Sequence, residues 1–122
     1  MTVRDERVLA VNQAFYLAMR QGDLAAMDAL WSRAREVSCT HPGRPMLIGR
    51  VEIMDSWRAI LGQGTAPEIR CVDPVACVFR GTAFVLCEER VMGARLLAIN
   101  SFALEPRGNI WRMIGHHASE LP

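Results

Sequence analysis

A chain of 122 residues, 51% hydrophobic and 22% charged, is large enough to bury a real core and reads as a single soluble domain spanning 1–122. Its net charge of +1 excludes electrostatic steering toward nucleic acid or an anionic membrane, and no apolar run approaches the ~20 residues that span a bilayer. Every basic residue is arginine, which excludes Schiff-base catalysis by lysine and the lysine of a phosphate-binding loop.

The first residues, Met-Thr-Val-Arg-Asp-Glu-Arg, are charged and lack an apolar signal core, so a cytoplasmic location is expected. Thr2 and Asp5 have capping-box spacing. Val8, Val11, Phe15 and Ala18 then recur at helical intervals. Gly22 stops this helix and Asp23 caps a second, which runs through Leu24, Met27, Leu30 and Trp31. Glu36–His41 reads as a short strand closed by Pro42-Gly43. Pro45–Ile48 reads as a second, ended by Gly49. A third helix follows, with Val51, Ile53, Trp57, Ile60 and Leu61 as its apolar stripe, ended by Gly62, Gly64 and Pro67.

From Glu68 the period changes to that of strands. Ile69–Phe79 is extended, with a bend or bulge expected at Asp73-Pro74 because proline removes a ladder hydrogen bond. Arg80-Gly81-Thr82 is a turn, Ala83–Val91 a strand and Met92-Gly93-Ala94 a turn. Two apolar strands follow, Arg95–Glu105 and Ile110–Ser119, joined at Pro106–Asn109. The fold class is therefore α+β, with three helices on one face of a curved antiparallel sheet. Cys39, Cys71, Cys77 and Cys87 lie in strand-like stretches without a C-x-x-C pair and are expected to be buried free thiols.

Simple pairing through these turns puts Phe84, Leu86 and Glu88 on one face with Ala98, Asn100, Phe102, Trp111, Met113, Gly115 and His117. Val85, Cys87, Glu89, Leu97, Ile99, Ser101, Ile114 and His116 take the other. A single bulge would exchange Glu88 and Glu89. Both faces are apolar, so one covers the helices and the other is expected to form a homodimer.

This layout resembles the nuclear transport factor 2-like superfamily, whose cone-shaped fold also carries ketosteroid isomerases and SnoaL-like polyketide cyclases. The resemblance rests on Gln21-Gly22-Asp23-Leu24, Trp31, Cys39-Thr-His-Pro-Gly43 and Gly49-Arg50 with Ile53 and Trp57. It continues through Asn100-x-Phe102, Gly108-x-x-Trp111-Arg-Met and His-His-Ala-Ser119. It implies a cavity that binds a small apolar molecule and proton transfer of the isomerase, cyclase or hydratase kind, with no cofactor; no metal is expected either, because His41, His117 and Glu88 or Glu89 have no diagnostic metal-ligand spacing. Laid over the ketosteroid isomerase pattern, Phe15 takes the place of the oxyanion-hole tyrosine, next to the only tyrosine, Tyr16. His41 takes the place of the general-base aspartate, and Asn100 that of the protonated acid.

Three residues are the candidate catalytic groups. His41 has an imidazole suited to moving a proton near neutral pH. The Asn100 amide can stabilise an oxyanion. His117 can orient or relay. Each also has a plainer reading: a turn histidine before Pro42, a buried amide satisfied by its neighbours, and a strand end with exposed imidazoles. Phe15, Trp31, Trp57, Phe102 and Met113 are the candidate ligand-binding walls, or simply core. The alternative function is a non-catalytic ligand-binding or dimerisation module.

Overall fold

The computed structural model describes residues 2–64 and 68–121. Helix α1 spans Val3–Gln21, and its first turn is held by the expected capping box: Thr2 accepts from the Asp5 amide, and Asp5 accepts from the Thr2 amide. Gly22 closes it in the left-handed region at φ 62°, which costs a residue without Cβ nothing. Asp23 caps α2 (Leu24–Leu30) by accepting from Ala26 N–H. Two short strands follow, β1 (Ser38–Thr40) and β2 (Leu47–Ile48), then α3 (Arg50–Leu61). Gly62 N–H bonds Arg58 O at the end of α3, while Pro67, expected to help end it, lies outside the described residues.

Four long strands complete the fold: β3 (Ile69–Phe79), β4 (Thr82–Val91), β5 (Ala94–Glu105) and β6 (Ile110–Glu120). The sheet order is β2-β1-β6-β5-β4-β3, an antiparallel meander with β1 added parallel to β6. The bulge expected at Asp73-Pro74 is present: pairing shifts between Val72 and Val75, and Asp73 takes φ 51°. The core lies between the helices and the concave face. Trp31, Trp57, Phe15, Tyr16, Met27, Phe102 and Met113 are all fully buried there.

Two one-residue effects correct the expected faces. Met92-Gly93 is a two-residue turn with φ of 49° and 83°, so Val91 pairs with Ala94, not Arg95. Odd residues of β4 therefore share a face with even residues of β5. Ala83, Val85, Cys87 and Glu89 point into the core, while Phe84, Leu86 and Glu88 point out. Then Ser101 pairs with Gly115 but Phe102 with Met113, leaving Ile114 as an extra residue in β6. Trp111 and Met113 keep the expected inner face; beyond the bulge His116 and Ala118 point in and His117 points out.

Candidate functional site

Asn12 and Tyr16 are one helical turn apart on the inner stripe of α1. Both are buried, and across from them β4, β5 and β6 bring Glu89, Asn100 and His116. These five side chains form one hydrogen-bonded cluster. Asn100 Nδ2 donates to Asn12 Oδ1 at 2.8 Å and to Tyr16 Oη at 3.0 Å. Tyr16 donates to Glu89 Oε2 at 2.6 Å. Asn100 has spent both amide hydrogens, so its Oδ1 accepts, and His116 Nδ1–H donates to it at 2.6 Å. That contact fixes the His116 tautomer and leaves its Nε2 lone pair uncommitted.

Burial sets the charge of this cluster. It raises the Glu89 carboxyl above its usual range, an effect only partly offset by the Tyr16 hydrogen bond. It pushes the Tyr16 phenol far up, helped by the neighbouring Glu89 charge. His116 falls to about 3, through burial and then the repulsion of His41 and His117. At neutral pH His116 is a neutral imidazole.

His41 follows the end of β1 and is half-buried at the rim of this cluster. Its ring stands edge-on to Trp57 at 4.8 Å and 6.4 Å from the His116 ring. Its Nε2 lies 2.9 Å from Ser56 Oγ, and the Ser56 hydroxyl donates to Ile53 O at 2.7 Å. A hydroxyl with its one hydrogen spent can only accept, so His41 Nε2 carries the proton and Nδ1 carries the lone pair. Burial, and then Arg44, lower its pKa, so His41 is neutral at pH 7. His41, Ser56, Leu47, Ile60 and Arg44 line an open recess of about 360 Å³. Trp57 Nε1, buried between these groups, has no hydrogen-bond partner among the described residues.

The structure brings His41 and Asn100 to the same side of the core, with His116 between them. His117 does not join them. It lies on the outer face, where Thr40 Oγ1 is 2.7 Å from its Nδ1 and Ser38 Oγ is 3.0 Å from its Nε2. The β6 bulge is the cause. Phe15, Trp31, Trp57, Phe102 and Met113 pack against one another in the core. Trp31 also borders an open recess of about 430 Å³ with Asp28, Arg33 and Arg112; the recess that a candidate catalytic residue lines is the one at the His41 rim.

Three further groups belong to the cluster: Asn12, passed over in the sequence, Tyr16, noted there only as the neighbour of Phe15, and Glu89, left open there against Glu88. Asn12 sits four residues before Tyr16 on a stripe otherwise apolar, a spacing that marks both as inward-facing. Tyr16 puts a phenol inside although Phe15 holds the expected position, and both rings are buried. Glu89 supplies the buried carboxyl, while Glu88 pairs on the surface with Arg90 and Arg95. Among the described residues no group of His, Cys, Asp and Glu is arranged to hold a metal ion, and no helix is long and apolar enough to cross a membrane.

An α+β cone with a polar cluster at the heart of its concave face defines the class of protein, and comparison with known proteins agrees. The family model of the SnoaL-like domain matches residues 8–122. The chain belongs to that family, within the nuclear transport factor 2-like superfamily. It is similar to the solved structure of a proposed NTF2-like dehydratase from Streptomyces avermitilis: 32% identical, TM-score 0.88, covering 98% of this chain and 96% of that one. It is also similar to a proposed calcium/calmodulin-dependent protein kinase type II association domain from Thiobacillus denitrificans: 28% identical, TM-score 0.81, covering 93% and 94%. The F-box protein SKIP8 of Arabidopsis thaliana is 26% identical over 116 residues, which cover 93% of this chain; the chain spans about half the length (49%) of that curated relative.

Proposed function

We propose that this chain binds a small, largely apolar carbonyl compound at the His41 recess and moves a proton on it without a cofactor, as an isomerase, cyclase or dehydratase does. One observation carries the reading. His41 lines an open recess with a fixed tautomer and a free Nδ1 lone pair, backed by the buried Tyr16–Glu89–Asn100–His116 cluster. His41 Nδ1 takes the substrate proton, as a neutral imidazole can at pH 7. Asn100 and Tyr16 hold His116 and Glu89 in place behind it, and Trp57 N–H is a donor in want of an acceptor. Leu47 and Ile60 receive the apolar part. Similarity to the proposed dehydratase supports the reaction class. The four free thiols support a reducing, cytoplasmic setting and residues 1–122 acting as one domain.

The test joins binding to exchange. Steroids, polyketides and small aromatic ketones are screened by thermal shift, since a ligand of the folded state raises its apparent stability. Hits are then followed for deuterium exchange next to the carbonyl by NMR. The expected result is exchange that His41→Ala slows by about 10²–10⁴-fold while binding persists. A panel that shifts nothing sinks the reading.

A second reading has its own observation. Leu86, Leu97 and Ile99 stand 37%, 45% and 41% exposed on the outer face of the sheet. With the likeness to the proposed association domain, this face supports a homodimer through the sheet, with or without chemistry inside.

A further inference from the structure

Two thiols stand at the back of the buried cluster, away from His41. Cys71 pairs across the sheet with Glu89, so it shares the inner face with Cys87, two residues before Glu89. Cys87 lies opposite the Asp73-Pro74 bulge, where pairing shifts between Val72 and Val75. A bulge twists the ladder and loosens it, the freedom a cross-strand bridge needs. The two thiols are therefore diagonal cross-strand neighbours. Both are held from α1: Asn12 Nδ2 donates to Cys71 Sγ at 3.5 Å, and Tyr16 Oη is 3.3 Å from Cys87 Sγ.

Their surroundings divide the work. Cys71 is half-buried and opens on a recess of about 350 Å³ that it shares with Arg20, Asn12, Tyr16 and Pro74. Its pKa is lowered, by neighbouring Cys87 first and then by the Asn12 hydrogen bond and the Arg20 charge, against the opposing pull of burial and of Glu89. Cys87 is buried, with its pKa raised by Cys71 and by burial. An accessible, acidified thiol beside a sheltered one is the arrangement of a redox-sensitive pair. Neither of the other cysteines has it. Cys39 is buried and pushed up to about 12. Cys77 is half-buried on the outer face, opposite Phe84.

We propose that Cys71 is a hydroperoxide-reactive thiol and Cys87 its resolving partner, together forming a reversible disulfide between β3 and β4. The Cys71 thiolate attacks the distal oxygen of the hydroperoxide. The O–O bond breaks, sulfur is oxidised to the sulfenic acid, and the alcohol (water, for hydrogen peroxide) leaves. The Cys87 sulfur then attacks Cys71 sulfur. The S–O bond breaks, hydroxide leaves as water with the Cys87 proton, and the S–S bond forms. The sum is two thiols and one hydroperoxide giving a disulfide, an alcohol and water. A thiol reductant reverses it.

The test treats the reduced full chain with hydrogen peroxide, alkylates the remaining thiols and maps peptides by mass spectrometry. The expected product links the Cys71 and Cys87 peptides, lighter by two hydrogen atoms, with Cys39 and Cys77 alkylated. Cys71 should react faster than Cys77, because it opens on the recess it shares with Arg20 and has Asn12 donating to its sulfur. In Cys87→Ala the reaction should stop at a sulfenic acid on Cys71, trapped by dimedone. Faster oxidation of Cys77, an oxidised protein without the linked peptides, or an untrappable Cys71 in Cys87→Ala each overturns the proposal. If the variant does not fold, the wild-type peptide map decides alone.

Discussion

On the inner face of the sheet, His116 donates to Asn100 from a fully buried position; one residue later, on the outer face, His117 rests against two hydroxyls with solvent beside it. Same residue type, same strand, opposite physics. Inside, each polar group has been stripped of water, so its partners must be in place and its charge is suppressed. Outside, water can stand in for any partner that is lost. The inner face therefore stakes stability on a few atoms, and the outer face spreads little over many. The difference also separates the two functional readings, because the catalytic proposal rests on the inner face and the association proposal on the outer.

Acid should break the inner face most. His116 holds its proton only below about 3 when folded, against about 6.5 in the unfolded chain. Between those values the unfolded state binds more protons, so stability is present above pH 6.5 and is lost as pH falls. The loss should approach on the order of 4 kcal/mol near pH 3. Glu89 works in the other direction. Its raised pKa makes the folded state hold more protons above about 4.5, so its contribution favours the acid side and falls as pH rises through the folded value. Denaturant unfolding from pH 7 to 3 in wild type and His116→Gln measures both. The variant should keep the Glu89 trend and lose most of the acid slope, the remainder coming from His41 and His117, whose pKa values burial also lowers. An unchanged slope would remove His116 as its source.

Asn100→Leu is the next largest. The apolar side chain leaves Asn12 Oδ1 and His116 Nδ1–H without a partner inside the core, and takes one donor from the Tyr16 hydroxyl, which keeps its bond to Glu89. Orphaned buried groups cost about 1–3 kcal/mol apiece and share the relaxation, so a net loss of about 3 kcal/mol is expected. His117→Ala removes two hydrogen bonds at a half-exposed site, where Ser38 and Thr40 can turn to water. Its cost should be about 1 kcal/mol. Chemical denaturation of the two variants side by side tests the ratio. Equal losses would erase the distinction between the faces.

The sequence displays the elements far better than the faces. Thr2 with Asp5, Gly22-Asp23 and Asp73-Pro74 each carry their own local chemistry, a cap, a left-handed stop and a missing donor, and each sits where it was expected. His41 and Asn100 were both legible as inward polar groups, but only His41 lines the recess; Asn100 is buried behind it with both amide hydrogens committed to Asn12 and Tyr16, so it offers none to an oxyanion. The rest turned on two single residues. Met92-Gly93 closes as a tight turn with Met92 at φ 49°, a conformation a methionine does not advertise. Ile114 is squeezed out of register by pairing that only the assembled sheet decides. Because side chains alternate, each slip exchanged one candidate for its neighbour: Glu89 for Glu88, and His116 for His117. Local sequence states propensity, whereas parity is settled by the total count of paired residues.

The smallest expected effect on folding is also the one that tests the outer face as a partner surface. Ile99 is 41% exposed beside Leu86 and His117, with its side chain away from the core. Ile99→Arg should change monomer stability by no more than about 0.5 kcal/mol, as surface substitutions outside special contacts do. A homodimer built on this face would bring the two copies of residue 99 close to its centre, where a charge stripped of water is costly. Sedimentation of wild type should then show a dimer that Ile99→Arg dissociates, with the inner cluster and any His41-dependent proton exchange retained. A monomeric wild type, or a dimer indifferent to the arginine, would leave the apolar outer face with no part in association.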